Sequence, residues 1–229
     1  MKQLTKLSLV AVALSSTLFV SQAALAEVSA NIGATSNYVW RGVSQSSNAA
    51  SVSGGLDYSD ESGFYAGTWV GSLGDDASGF NGSETDFYLG FGGETDSFAY
   101  DVGYIYYAYT ELDDSNFGEV YFNGSVGNFG FGLAYTINSD LPSGAGFETG
   151  DIFYSLSYGG IDLGSEFELG LSAGLYTFDS DGVDGADYDY SYVQADISKG
   201  DFTFSVSKAQ ESDFADEDIK FVASWSTSF

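Results

Sequence analysis

The chain has 229 residues, with 33 Asp or Glu against 6 Lys or Arg and a formal net charge of −27. It contains no His and no Cys, which excludes a Ser-His-Asp or Cys-His hydrolase, a Cys/His zinc or haem site and a disulfide framework. So acidic a chain repels nucleic-acid phosphate, and we expect no nucleic-acid partner. Aromatic residues make up 17% of the chain, which argues against an acidic disordered protein.

The first residues have the pattern of a secretory signal peptide. Two lysines precede an apolar stretch over 7–20, and an A-x-A cleavage signal follows at 24–26. The apolar stretch is shorter than the ~20 residues that a membrane-spanning helix needs. We therefore expect an exported protein, with a cleaved signal peptide at 1–26 and one domain over 27–229.

Beyond this segment, apolar residues recur with period two, which is the spacing of β-strands that have one apolar face. The segment 129–138 is a clear case, because Phe129, Phe131 and Leu133 alternate with Gly and Ala. Counting such segments predicts twelve strands, at 28–41, 50–58, 64–72, 85–92, 97–110, 118–126, 129–138, 151–158, 166–177, 189–198, 202–209 and 218–229.

The connections between the predicted strands alternate between short turns and long acidic loops. The long loops hold 16 of the 33 acids and neither Lys nor Arg. Long loops on one side and tight turns on the other are typical of outer-membrane barrels. A soluble sandwich presents charged residues to water, whereas the polar faces here are mostly Gly, Ser, Tyr and Asn, which suit a narrow lumen. The predicted fold is all-β, a single antiparallel transmembrane β-barrel of about 12 strands in the cell outer membrane.

Aromatic residues near the predicted strand ends favour the same fold. Tyr38, Trp40 and Trp225 fall where barrels carry aromatic girdles at the lipid interfaces. The last residue, Phe229, is in phase with Trp225 and Phe221 on the last predicted strand. We interpret Phe229 as a signal read by the barrel assembly machinery. The expected partners are this machinery, outer-membrane lipid and lipopolysaccharide, and small solutes or cations.

Three segments carry a resemblance to a known family. The segment 36–45 (SNYVWRGVSQ), followed by 62–69 (SGFYAGTW) and 86–90 (DFYLG), resembles the TorF-like family of outer-membrane porins of Gram-negative bacteria. The most specific part is the Tyr-x-Trp-Arg-Gly-x-Ser-Gln stretch. The resemblance implies an outer-membrane location and a channel-like role, and it names no substrate.

The strand phase places charged side chains in the lumen. These are the cations Arg41 and Lys220 and the acids Asp86, Asp101, Glu119, Asp151, Glu168 and Asp196. A lumen with this imbalance attracts cations and raises their local concentration. Arg41 projects inward near the loop end of the first predicted strand. It is either a gate or selectivity charge that pairs with a lumen carboxylate, or a structural ion pair that holds this strand to a neighbour.

One acidic loop has spacing that is partly typical of a calcium loop, with oxygen ligands at Asp179, Asp181, Asp184 and Asp187. It departs from the EF-hand pattern, because a Val stands at the fifth position and no Glu at the twelfth. We expect no cofactor and at most weak binding of divalent cations by the acidic loops.

We therefore expect an outer-membrane porin that lets small solutes diffuse passively, with a preference for cations. The alternative is a non-conducting outer-membrane barrel that acts as an acidic surface, adhesion or structural protein. An enzyme is not expected, because the phospholipases and proteases among barrels of this size depend on a His that the chain lacks.

Overall fold

The computed structural model describes residues 26–74, 82–180 and 186–229. These residues form β1 (Glu27–Thr35), β2 (Val39–Trp40), β3 (Val43–Ser44), β4 (Ser51–Ser59), β5 (Phe64–Ser72), β6 (Ser83–Glu94), β7 (Ala99–Tyr109), β8 (Phe117–Val126), β9 (Phe129–Ser139), β10 (Ile152–Gly164), β11 (Phe167–Thr177), β12 (Tyr190–Lys199), β13 (Phe202–Ala209) and β14 (Lys220–Ser228). Within this part of the chain, no helix is long and apolar enough to span a membrane. The expected signal peptide lies outside the described residues, apart from its last residue.

All the strands except β2 and β3 form one closed antiparallel barrel, in which each strand pairs with the barrel strands before and after it along the chain. β1 closes the barrel by pairing with both β4 and β14. At this seam, Ala30 and Phe229 exchange two backbone hydrogen bonds of 2.9 Å. Closure gives every barrel strand a neighbour on both sides, so the barrel has no edge strand. The predicted fold, an all-β antiparallel barrel of about 12 strands, is confirmed.

The two faces of each barrel strand differ as the period-two pattern predicts. On β9, Phe129 and Leu133 point outward and are 65% and 43% exposed, whereas Ala134 and Thr136 point inward and are buried. The outer surface is therefore apolar, and the interior is lined by small, hydroxylated, aromatic and acidic side chains.

Some interior glycines make room for aromatic rings of neighbouring strands. Gly174 on β11 contacts Phe153 and Tyr192, whose rings are stacked with an interplanar angle of 4°. A Cβ at Gly174 would lie 2.7 Å from the Phe153 ring and closer still to the Tyr192 ring. Only glycine leaves space for both rings here.

The first strand is shorter than predicted, which changes the position of Arg41. β1 ends at Thr35 instead of continuing to residue 41, and residues 36–50 turn into the barrel, where β2 pairs with β3. We call residues 36–50 the inner hairpin. Arg41 lies at its tip and does not project from a barrel strand. Trp40, expected in an aromatic girdle, is 6% exposed inside the barrel.

β10 is longer than predicted and continues to residue 164. A β-bulge between Tyr158 and Ile161, in which Gly160 has a φ of 68°, adds one residue and lets the pairing continue. The strand then turns through Ser165 and Glu166, which both have positive φ, as a type I′ turn requires.

Candidate functional site

The inner hairpin folds around a two-residue turn, Arg41-Gly42, between the paired residues Trp40 and Val43. The φ angles of the two turn residues are 48° and 85°. Positive φ at both positions is typical of a type I′ turn, which suits a tight antiparallel hairpin and favours Gly at the second position. A positive φ is unfavourable for Arg41, so the contacts of its side chain have to hold it in place.

Short polar side chains stabilise the inner hairpin internally. The side chain of Asn37 accepts hydrogen bonds from Ser44 at 2.6 Å and Ser46 at 3.2 Å, and it donates to Asn48 at 2.9 Å. The Ser46 hydroxyl also accepts from the backbone N–H of Tyr38 at 2.8 Å. Asn37 and Ser46 are buried. These bonds give the inner hairpin a defined shape against the barrel wall.

The guanidinium of Arg41 forms a bidentate ion pair with Glu119 on β8. Each of its two terminal nitrogens donates to one carboxylate oxygen at 2.7 Å, and both side chains are 1% exposed. The hydroxyls of Tyr107 and Tyr176 donate to the same carboxylate at 3.2 Å. Hydrogen bonds to both oxygens offset the lost hydration of a buried carboxylate. The pair holds the tip of the inner hairpin against the wall.

Three aromatic rings surround the same guanidinium. Its central carbon lies 4.1 Å from the ring centre of Phe153, 4.2 Å from that of Trp40 and 5.2 Å from that of Tyr176. Cation–π contacts of this kind contribute about 0.5–2 kcal/mol each, most where water is excluded. Nε of Arg41 has no hydrogen-bond partner among the described residues. Arg41 is thus bound by one carboxylate and by aromatic faces.

An aromatic cluster fills the loop end of the barrel around the inner hairpin. Phe147 lies at its centre, with ring centres between 4.8 and 5.9 Å from those of Trp40, Phe117, Tyr176, Phe178 and Phe214. We call these six residues the loop-end cluster. It joins the inner hairpin, the wall and the loops that follow β9, β11 and β13. At this level the lumen is occupied by packed side chains.

The second interior cation, Lys220, is also paired. It is 4% exposed, and its ammonium group donates to Asp216 at 2.9 Å. The charges of Arg41 and Lys220 are therefore both offset by a carboxylate in contact.

Three of the interior acids have no such partner. Asp86, Asp101 and Asp196 are buried, and none of them forms an ion pair with a cation among the described residues. Asp101 accepts a hydrogen bond from Tyr65 at 2.5 Å, and Asp196 accepts one from Gln194 at 2.9 Å. The described part of the interior thus holds more acids than cations.

The remaining predicted lumen acid on a strand, Glu168, lies near the turn end of β11 and is partly exposed. Glu84 was missed, because it precedes the predicted strand 85–92. It belongs to β6, is 2% exposed and accepts a hydrogen bond from Tyr38 of the inner hairpin at 3.2 Å. Its spacing of two residues from Asp86 is the signal that places both on one face.

Asp151 lies just before β10 and connects two loops. Its carboxylate accepts from the backbone N–H of Glu148 at 2.9 Å and of Asp179 at 2.8 Å. Burial raises the pKa of Asp151 to about 6; these hydrogen bonds oppose the shift, and the negative charges of Glu148 and Asp179 add to it. The folded loops therefore favour the neutral form of Asp151.

This shift predicts a pH dependence of stability. An ordinary Asp has a pKa of about 4, so between pH ~4 and ~6 the folded chain holds a proton that the unfolded chain has lost. The stabilisation is complete below this range and is lost as the pH rises through 6. We expect Asp151→Asn to remove a pH-dependent contribution on the order of 2 kcal/mol. Urea unfolding of both proteins in detergent from pH 4 to 7.5 measures it, and parallel curves would contradict the assignment.

The predicted divalent-cation loop is only partly covered by the structure. Asp179 and Asp187 are described, whereas Asp181 and Asp184 lie outside the described residues. The backbone N–H of Asp187 donates to the carboxylate of Asp213 at 2.9 Å. No group of three acidic side chains in the described part of the chain is placed to hold a metal ion. Weak binding by this loop stays a prediction.

Comparison with known proteins gives a family. The family model described as "Bacterial protein of unknown function (Gcw_chp)" matches residues 21–140, slightly more than half of the chain. No curated protein sequence matches significantly. The resemblance to the TorF-like family stays a prediction.

Three solved structures have a similar backbone trace. The KdgM porin has a TM-score of 0.49 at 7% identity and covers 88% of this chain and 98% of its own. OccAB4 of Acinetobacter baumannii has a TM-score of 0.44 at 13% identity and covers 84% of this chain and 56% of its own. A structure from a study of in-meso crystallization of membrane proteins reaches a TM-score of 0.51 at 8% identity and covers 88% of this chain and 83% of its own. This chain shares the fold of that last structure.

Proposed function

Because this chain belongs to the bacterial Gcw_chp family, whose description names no activity, we propose from its geometry that it is an outer-membrane channel for small solutes. The channel prefers cations, and its loop end is narrowed by the inner hairpin. The observation that carries this proposal is a closed barrel whose interior keeps unpaired carboxylates while both interior cations are neutralised.

The outer surface supports a membrane location. Large apolar side chains point outward on strands around the barrel, for example Leu56, Phe87, Leu156 and Phe221, with exposed fractions between 53% and 67%. A surface of this kind is costly in water and favourable in hydrocarbon. A closed barrel also leaves no unpaired backbone group to face lipid. Insertion by the assembly machinery through Phe229, beside lipopolysaccharide, is part of the proposal.

The interior charge supports the cation preference. Asp101 and Asp196 add negative potential within a low-dielectric wall, which concentrates cations and excludes anions. Glu168 adds a further acid near the turn end. The paired Arg41 and Lys220 contribute little opposing field, because Glu119 and Asp216 lie in contact with them.

The packing around Arg41 favours a second candidate, the non-conducting acidic surface protein. The loop-end cluster and the inner hairpin fill the barrel at one level, and Tyr176 is 0% exposed there. If the inner hairpin never leaves this position, the acidic loops carry the function. Conductance with and without a released hairpin therefore separates the two candidates.

We expect the refolded protein in a planar bilayer, under a salt gradient, to show a reversal potential on the cation side. Asp101→Asn and Glu168→Gln should each lower the cation-to-anion permeability ratio about two- to threefold, since one wall charge changes the local potential by about kT. Glu166→Gln is the matched control, because that acid lies in the turn between β10 and β11 and its side chain is 86% exposed.

Unchanged ratios in both interior variants would contradict the cation preference. No conductance from a folded wild type, together with conductance from a variant with a released inner hairpin, would mean that this hairpin closes the channel. No conductance from either protein would favour the non-conducting barrel.

A further inference from the structure

We infer that the wall pocket around Glu119, Phe153 and Tyr176 is a binding site for guanidinium-bearing organic cations, which Arg41 occupies in this structure. The inference rests on the proposed channel, because the lumen is the route by which such a solute reaches the pocket. It names a solute class for that channel, which the charge surplus alone does not.

The pocket belongs almost entirely to the wall. Glu119 comes from β8, Tyr107 from β7, Phe153 from β10 and Tyr176 from β11, and only Trp40 comes from the inner hairpin. The wall residues therefore keep the same carboxylate and aromatic faces when Arg41 is absent. Glu119 would then retain only the hydroxyls of Tyr107 and Tyr176 as partners among those described here.

A buried carboxylate in this state either takes up a proton or binds another cation. Isolated ionised groups are very unfavourable in an apolar environment. The surroundings add no positive charge, because the other cations of the described residues, Lys199, Lys208 and Lys220, pair with acids elsewhere. Among the described residues, Arg41 is therefore the one cation that pairs with Glu119.

The shape of the pocket selects a guanidinium over a metal ion. Both oxygens of Glu119 accept parallel N–H groups at 2.7 Å, which matches a planar fork of donors. The remaining lining is aromatic faces at 4.1 to 5.2 Å, which stack on a planar, weakly hydrated cation. Hard metal ions need several oxygen ligands instead, and no described group of three acids is placed to supply them.

Two features make the binding of Arg41 in the pocket less favourable. Its backbone has a φ of 48°, which is unfavourable for a residue with a side chain. Its Nε has no partner within the described part of the chain. A free guanidinium has no backbone and so does not carry the first of these disadvantages.

Chemical rescue tests the site with Arg41→Ala. The probe is methylguanidinium, and the readout is the thermal unfolding midpoint of the refolded barrel in detergent. Unfolding is detected by the change in mobility on a gel. We expect Arg41→Ala to lower the midpoint and methylguanidinium to restore it saturably, with an apparent Kd on the order of 1–10 mM. Wild type should not respond in this range, because its own side chain fills the pocket.

Two controls decide the outcome. Methylurea has a similar shape without the charge, and the double variant Arg41→Ala/Glu119→Gln lacks the carboxylate; neither should show the rescue. Equal effects of the two probes, or rescue that persists in the double variant, would overturn the assignment. The readout does not depend on conductance, so a silent barrel that binds methylguanidinium contradicts the channel alone, and a conducting barrel without rescue contradicts the ligand alone.

Discussion

Replacing Glu119 with glutamine is expected to release the inner hairpin. The guanidinium of Arg41 would remain buried without its carboxylate, and removing one partner of a buried ion pair costs about 3–5 kcal/mol. The least costly relief is for the inner hairpin to leave the lumen, because water then solvates Arg41. Since each 1.4 kcal/mol is a factor of ten, the population with an undocked hairpin should rise roughly a hundredfold or more.

Trypsin measures this release, because it cleaves after Lys and Arg and Arg41 is the only arginine of the chain. In wild type Arg41 is 2% exposed, so the bond to Gly42 is protected. In Glu119→Gln we expect the rate of cleavage after residue 41 to rise with the undocked population. Mass spectrometry of the digested, refolded barrel identifies the cut, and a larger single-channel conductance should accompany it.

The matched control is Glu166→Gln. Glu166 also pairs with a cation, Lys199, but at 3.5 Å and with side chains 86% and 44% exposed. Exposed pairs contribute about 0–1 kcal/mol, so this variant should leave Arg41 protected. Equal cleavage after Arg41 in the two variants would mean that the buried pair does not hold the inner hairpin.

Replacing Gly42 with alanine should also release the inner hairpin, and it leaves every charge in place. Gly42 has a φ of 85°, and a Cβ there would lie 2.6 Å from Cβ of Tyr192 and 2.8 Å from its Cγ. These atoms are close to the backbone of β12, so the ring cannot move aside. The left-handed backbone costs an alanine about 1–2 kcal/mol and the overpacking about 1–3 kcal/mol. We expect faster cleavage after Arg41.

Gly200→Ala isolates the backbone part of this effect. Gly200 lies in the turn between β12 and β13 with a φ of 55°, and a Cβ there would have no neighbour within 4 Å. It should lower the free energy of unfolding slightly and leave Arg41 protected. If Gly42→Ala behaves like Gly200→Ala in the trypsin assay, the contact with Tyr192 does not position the inner hairpin.

The strands were predictable because their signal is local. Alternation along each segment is a property of neighbouring residues, and it identified β5 and β13 to the residue. The bulge at Gly160 could not be anticipated in the same way. A bulge depends on how two strands pair, so the predicted end at 158 fell short of the observed Gly164.

The candidate site was predictable only in part. Glu119, Asp86 and Asp101 were placed inside the barrel by strand phase alone, and they are buried there. The course of 36–50 was not predicted, since Val39, Trp40 and Val43 continue the alternation of a strand. The Arg-Gly pair between them is a weak turn signal, because glycine at the second position suits a type I′ turn.

The sequence by itself determined a closed all-β barrel with an acidic interior, because period-two alternation and charge counts need no knowledge of distant contacts. It left open whether Arg41 is a gate or selectivity charge that pairs with a lumen carboxylate, or a structural ion pair that holds the first strand to a neighbour. Only the tertiary structure identified the partner of Arg41, by bringing this residue to Glu119, 78 positions away along the chain, inside a ring of aromatic side chains. A buried ion pair depends on which groups meet out of water, and that is a property of the folded barrel rather than of any local segment.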